Sequence, residues 1–97
     1  MHVISRPQLT TFWLKHQDAE VALRYWFNKV SKANWKNINE LKKDFPSADY
    51  IGYNRVVFNI KGNNYRLIVV IYFDGQKIYS RFVGTHAEYD KINAKTI

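Results

Sequence analysis

From residue 55 onward, apolar and polar positions alternate in three runs, 55–61, 66–73 and 76–84. Each run is rich in β-branched and aromatic residues and is bounded by turn residues, which predicts three antiparallel strands in a meander. Asn63-Asn64 and Asp74-Gly75 sit between the runs. Asx-Asx and Asp-Gly pairs tolerate the positive φ angles of a tight hairpin turn, so each is predicted as a two-residue loop. With such loops Phe58, Val69 and Ser80 share one row across the sheet, and Asn59, Ile68 and Arg81 the next. Because side chains alternate sides along a strand, one face then carries Val56, Phe58, Ile60, Leu67, Val69, Ile71, Ile78, Ser80 and Phe82. The opposite face carries Arg55, Asn59, Lys61, Arg66, Tyr72, Lys77, Tyr79 and Arg81, diluted by Val57, Ile68, Val70 and Val83.

Upstream, the period changes from two to about three and a half. Residues 2–5 are short and apolar enough for an added strand of the same sheet. Ser5-Arg6-Pro7-Gln8 then reads as a helix start, with Ser5 as N-cap and Gln8 in capping-box spacing. Leu9, Phe12, Trp13 and His16 form the buried stripe of this first helix. Asp18 is the next predicted cap. It opens a second helix with Ala22, Leu23, Trp26, Phe27 and Val30 inward, ending near Ala33. Asn37 and Glu40 start a short third segment in which Ile38, Leu41 and Phe45 share a face, and Pro46 stops it. Residues 47–53 read as a linking loop or an irregular strand, with Gly52 and Asn54 suggesting a turn. After the last strand, residues 87–93 can form at most two helical turns.

The predicted fold is therefore α+β. An antiparallel sheet, made of an N-terminal strand and the C-terminal three-stranded meander, has helices packed on one face. They belong on the Phe58/Leu67/Phe82 side, which leaves the Lys61/Arg66/Arg81 side open. At 97 residues the chain is expected to form one domain, residues 1–97.

Charge then narrows the partner. Fifteen Lys and Arg against eight Asp and Glu give a formal net charge of +7, so an anionic partner is expected. Cysteine is absent, which excludes a disulfide scaffold and thiolate metal sites. His2, His16 and His86 are scattered, no Gly-rich phosphate loop or nucleophile elbow occurs, and no carboxylate pair falls on the open face. No metal or cofactor is expected. No apolar run is long enough for a bilayer span and no secretion signal is visible, so no membrane association and a cytoplasmic location are expected.

What remains is a cluster of cations with His86 and Tyr89 beyond the last strand. RNA carries its own nucleophile, the 2′-OH, so cleavage needs only proton transfer and charge stabilisation at the phosphorane. Lys61, Arg66 and Arg81 are candidates for the charge. Imidazole is the one side-chain type in the cluster that titrates near neutrality, so His86 is a candidate for proton transfer, with Tyr89 one turn on. Arg55, Asn59, Lys77, Tyr79 and Lys91 are candidates for holding the RNA strand. Two alternatives stay open for the same face: a non-catalytic RNA- or ribosome-binding module, or an adaptor for an acidic protein.

Two segments carry a family resemblance. Val57-Phe58-Asn59-Ile60-Lys61-Gly62-Asn63-Asn64-Tyr65-Arg66, and Arg81-Phe82-Val83-Gly84-Thr85-His86-Ala87-Glu88-Tyr89-Asp90-Lys91, resemble the HigB toxins of bacterial toxin-antitoxin systems, mRNA interferases on the RelE-like fold. The resemblance covers essentially the whole chain and is most specific at Gly62–Arg66 and Thr85–Asp90. It implies a ribosome-dependent endoribonuclease that cuts translated mRNA without a metal. It further implies a cognate helix-turn-helix, HigA-like antitoxin, and contact with operator DNA only through the toxin-antitoxin complex. Arg66, His86 and Tyr89 match the family's positions, and Lys61 lies where a basic residue is usual. Val57 and Asn59 depart from the RelE branch, which has lysines there.

Overall fold

The computed structural model describes residues 1–4 and 6–97, so the capping role expected of Ser5 lies outside the described residues. The chain forms β1 (His2–Ile4), α1 (Arg6–Lys15), a 3-10 turn (Gln17–Ala19), α2 (Glu20–Lys32), α3 (Ile38–Asp44), β2 (Asp49–Gly52), β3 (Arg55–Ile60), β4 (Tyr65–Tyr72), β5 (Lys77–Thr85) and α4 (His86–Asp90). The strands make one five-stranded sheet in the order β1-β5-β4-β3-β2. β1 lies parallel to β5 and every other pairing is antiparallel. The ambiguous stretch before the meander thus resolves as a strand, β2, with a bulge between Tyr50 and Gly52.

α1, α2 and α3 cover the face read as core. Leu9, Phe12 and Trp13 of α1 and Leu23, Trp26 and Val30 of α2 are buried there, with Val56, Phe58, Leu67, Val69 and Ile78 from the sheet. Trp26 and Phe45 both meet the Phe58 ring edge-on, at centroid distances of 5.5 and 5.1 Å, a favourable arrangement of ring quadrupoles. Among the described residues, Ser80 is the one buried polar residue in this layer, and its hydroxyl donates to Gln8 Oε1 at 2.7 Å. Desolvating that hydroxyl is offset by the bond. Asn37 caps α3 as expected, its side chain accepting from the Glu40 N–H at 3.0 Å.

Three local readings are corrected. The β3–β4 loop has four residues, Ile60 facing Tyr65, and its left-handed positions are Lys61 (φ 51°) and Gly62 (φ 63°) rather than the two asparagines. That moves the row by two, so Phe58 faces Leu67 instead of Val69. The β4–β5 loop keeps the expected register, Val69 facing Ser80, but its left-handed residue is Gln76 (φ 53°), not Asp74 or Gly75. Asp18 does not cap α2. Its carboxylate instead accepts from the Tyr65 hydroxyl and from Lys61 Nζ.

The larger correction is a bulge in β5. Ser80 pairs with Val69 but Phe82 pairs with Ile68, leaving Arg81 unpaired between them. One extra residue reverses the facing of everything after it. Phe82, expected in the core, lies on the other face, and Val83, expected outside, packs against the core. Gly84 then faces Arg66, and a Cβ on Gly84 would come within 2.6 Å of Phe82 Cζ.

The face away from α1–α3 is also less open than expected. Val57 and Ile68 on it are 5% and 0% exposed. α4 packs back on β4 and β5, and the segment after it reaches the far strands. Ile51 of β2 lines a shared depression with Tyr89 and Ile92, and Arg55 Nη2 donates to Ile97 O at 2.7 Å. The apolar strip formed by Val57, Ile68 and Phe82 accounts for this second cover, since leaving it in water is unfavourable.

Gly84→Ala is expected to lower stability by about 1–3 kcal/mol, the usual range for overpacking. Adding Phe82→Ala removes the ring that the new methyl meets, so thermal melts of the two single variants and the double variant should show a positive coupling rather than additive losses.

Candidate active site

Strand pairing brings some of the expected residues together and separates others. Arg66 stands on β4 between Asn59 of β3 and Gly84 of β5. Its guanidinium carbon lies 5.8 Å from the centre of the Tyr89 ring, a cation–π contact, and Nη1 donates weakly to Asn63 O at 3.4 Å. His86 opens α4, its ring 6.5 Å from that of Tyr89. Arg66, His86 and Tyr89 therefore form one cluster where β4 and β5 hand over to α4.

α4 is held there by its first turn. Thr85 Oγ1 accepts from the Glu88 N–H at 3.2 Å while Glu88 Oε1 accepts from the Thr85 N–H at 2.8 Å, a complete capping box. The His86 N–H also donates to Asn64 O at 3.3 Å, tying the helix start to the β3–β4 loop. The Thr85 backbone N–H, and after it the Thr85 hydroxyl, hold the Glu88 carboxyl below the usual glutamate range.

Asp90 is a residue the sequence reading missed. Its Oδ2 lies 3.1 Å from His86 Nδ1, at i,i+4 spacing on α4. In the tautomer that carries its proton on Nδ1, that proton is directed at the carboxylate and Nε2 is the nitrogen with the free lone pair. The signal was present in the sequence, since Asp90 lies four positions after His86 and the helical segment expected at 87–93 starts next to it.

Lys61 does not join the cluster. It lies in the β3–β4 loop, and its ammonium is 3.0 Å from Asp18 Oδ2, on the helix side of the sheet. The Tyr65 hydroxyl and then Lys61 hold the Asp18 carboxyl below its usual range, and the bond to Asp18 pushes the Tyr65 phenol up. A partner forty-three residues earlier in the chain is invisible to local spacing.

The remaining candidates spread along the same face. Asn59 neighbours Arg66, and Lys77 is exposed at the far end of β5 beside Tyr72. Lys91 is the exposed C-cap residue of α4. Arg81, in the bulge, lines a separate depression with Arg55 and Tyr79. Arg55 is itself engaged, donating to the carbonyls of Tyr53 and Ile97. Arg55, Arg66 and Arg81 share the face turned from α1–α3, as expected. Among the described residues, no group of three or more His, Asp or Glu side chains is placed to hold a metal ion, and no helix is long and apolar enough to cross a membrane.

A small basic α+β domain, with this cluster on the sheet face opposite its main helix layer, has the architecture of a RelE-like toxin. Residues 19–92 match the family described as HigB toxin, RelE-like toxic component of a toxin-antitoxin system. The chain is 35% identical to the mRNA interferase toxin HigB of Escherichia coli (strain K12), over 97% of this chain and 92% of that protein. The mRNA interferase HigB of Shigella flexneri gives the same identity and coverage. A third relative, mRNA interferase HigB of Escherichia coli O6:H1, is 28% identical over 95% of this chain and 91% of its own length. The chain belongs to the HigB toxin family.

Two measurements check the geometry. Because the folded state lowers the Glu88 pKa, its contribution to stability is complete above the unfolded-chain value of about 4.3 and is lost as pH falls through the folded value. Wild-type melting temperature should therefore fall more steeply than that of Glu88→Gln on acidification below about pH 5. Lys61→Met, which removes a cation already matched by Asp18, should change RNA cleavage less than about threefold, against losses of about a hundredfold or more for Arg66→Ala.

Proposed function

We propose that this toxin is a ribosome-dependent, metal-independent endoribonuclease that cuts translated mRNA and thereby inhibits translation. Family membership supports the coarser part, an endoribonuclease toxin of the mRNA interferase type with an antitoxin partner. The observation that carries the finer part is the cluster of Arg66, His86 and Tyr89 on the outer side of the sheet, with Asp90 behind the imidazole.

In this reading the RNA backbone lies across the cluster. His86 Nε2 takes the proton of the 2′-OH, and the 2′ oxygen attacks the adjacent phosphorus. The bond from phosphorus to the 5′ oxygen breaks, leaving a 2′,3′-cyclic phosphate on one fragment and, once the 5′ oxygen is protonated, a free 5′-OH on the other. The Asp90 carboxylate stabilises the imidazolium that forms, and the Tyr89 hydroxyl protonates the leaving oxygen. The Arg66 guanidinium faces the charge that grows on the phosphorane oxygens. No metal is required, because the nucleophile is the substrate's own hydroxyl and the charge is met by the Arg66 guanidinium.

The ribosome supplies the substrate's orientation. An exposed cluster with His86 half open to solvent has little means of fixing an unstructured RNA by itself, and proximity supplied from outside is worth several kcal/mol, about 7–11 in well-oriented cases. The partner that neutralises the toxin is a HigA-like helix-turn-helix antitoxin, through which alone the toxin reaches operator DNA. The place of action is the cytoplasm.

Wild-type protein added to a programmed translation extract should yield mRNA fragments ending in 2′,3′-cyclic phosphate. Arg66→Ala and His86→Ala should reduce that cleavage by roughly 10²–10⁴-fold. Intact message, with translation still blocked by both variants, would replace the nuclease by a non-catalytic ribosome-binding module.

A further inference from the structure

The geometry points to a second RNA subsite on the same face, a stacking pocket for a single unpaired nucleobase formed by Tyr53, Tyr72 and Tyr79 with Arg81 as its phosphate anchor. It rests on the RNA-cutting reading and extends it away from the reacting phosphate. The three tyrosines, with Arg55, Val70 and Arg81, line a depression of about 490 Å³, within the size range of small-ligand sites. It contains no carboxylate, so nothing in its lining repels an anion.

Each wall has a local cause. Tyr53 and Asn54 are the two central residues of the β2–β3 hairpin, at φ 55° and 60°. Asparagine is at home there, whereas a tyrosine with a left-handed backbone is uncommon. Tyr53 nevertheless occupies it, 70% exposed, its carbonyl held by Arg55 Nη1 at 3.0 Å. Tyr72 is 47% exposed and meets Tyr79 edge-on at 5.9 Å, which leaves ring surface free for stacking. Arg81 reaches the pocket because the β5 bulge releases it from the ladder, and none of the ion pairs among the described residues involves it. Free aromatic faces beside an unmatched guanidinium are what a splayed-out base and its phosphate require.

The subsite is not the reacting centre. Val70, in its floor, lies four residues along β4 from Arg66, roughly 13 Å at the strand rise. The base it holds therefore belongs to a neighbouring nucleotide, whose capture adds a contact of the toxin's own to the orientation the ribosome supplies.

The test uses short single-stranded RNA with 2′-O-methyl riboses, which has no attacking hydroxyl, and a matching set lacking one base at each position in turn. Fluorescence anisotropy with wild-type protein should show one position where base loss weakens binding about tenfold, the size of one stacking contact. Tyr72→Ala should bind the intact RNA about that much more weakly and show no further loss at that position, and Tyr72→Phe should behave as wild type. Equal binding of intact and base-deleted RNAs by wild-type protein would overturn the subsite, without requiring any variant to fold. A base penalty that persists undiminished in Tyr53→Ala/Tyr72→Ala would do the same. Since no bond is cut in this assay, an intact message in the translation extract bears on the nuclease and not on the pocket.

Discussion

The structure depends on a strand that must be dry on both sides. Leu67 to Ile71 of β4 are all buried, including the residues that face away from α1, α2 and α3. Such a strand needs two covers, and a chain that has spent its long helices on one side has only a short helix and a few following residues for the other. α4 and the segment behind it shelter Ile68 and Val57 but cannot reach the whole sheet. The uncovered remainder is where the cations and tyrosines stand. The position of the candidate active site is thus the margin of an incomplete second layer, and α4 serves at once as cover for the sheet and as carrier of His86, Tyr89 and Asp90.

How far the sequence could be read follows from the same geometry. The two-residue slip between β3 and β4 did no harm to the assignment of faces, because side-chain alternation has a period of two. Val56, Phe58, Leu67, Val69, Ile71 and Ile78 therefore lie where alternation put them. The single-residue bulge at Arg81 is different, since it exchanges Phe82 and Val83, and both are apolar enough to suit either side. The one hint was Gly84, a glycine inside a strand, which marks a bulge or a close approach and here yields room to the Phe82 ring.

Arg66, His86 and Tyr89 lie in segments whose local structure was legible, so type and spacing sufficed to expect them near one another, and they are. Lys61 was misplaced for the opposite reason. Its ammonium is claimed by Asp18, read from the sequence as a helix cap, and that claim arises only when the 3-10 turn and the β3–β4 loop meet in three dimensions. The acids thus have divided tasks. Asp18 ties one lysine down on the helix side of the sheet, whereas Asp90 brings a negative charge up against a histidine on the other.

One consequence follows from the parallel pairing of β1 with β5. His2, Val3 and Ile4 find their partners in Lys77, Ile78 and Tyr79, so the sheet closes only after more than seventy residues of intervening chain have been made. Contacts so distant in sequence form late in folding. The imidazole and phenol of α4 are synthesised later still. While it is being translated, the nascent polypeptide has neither a finished sheet nor the side chains of α4 until its synthesis is almost complete.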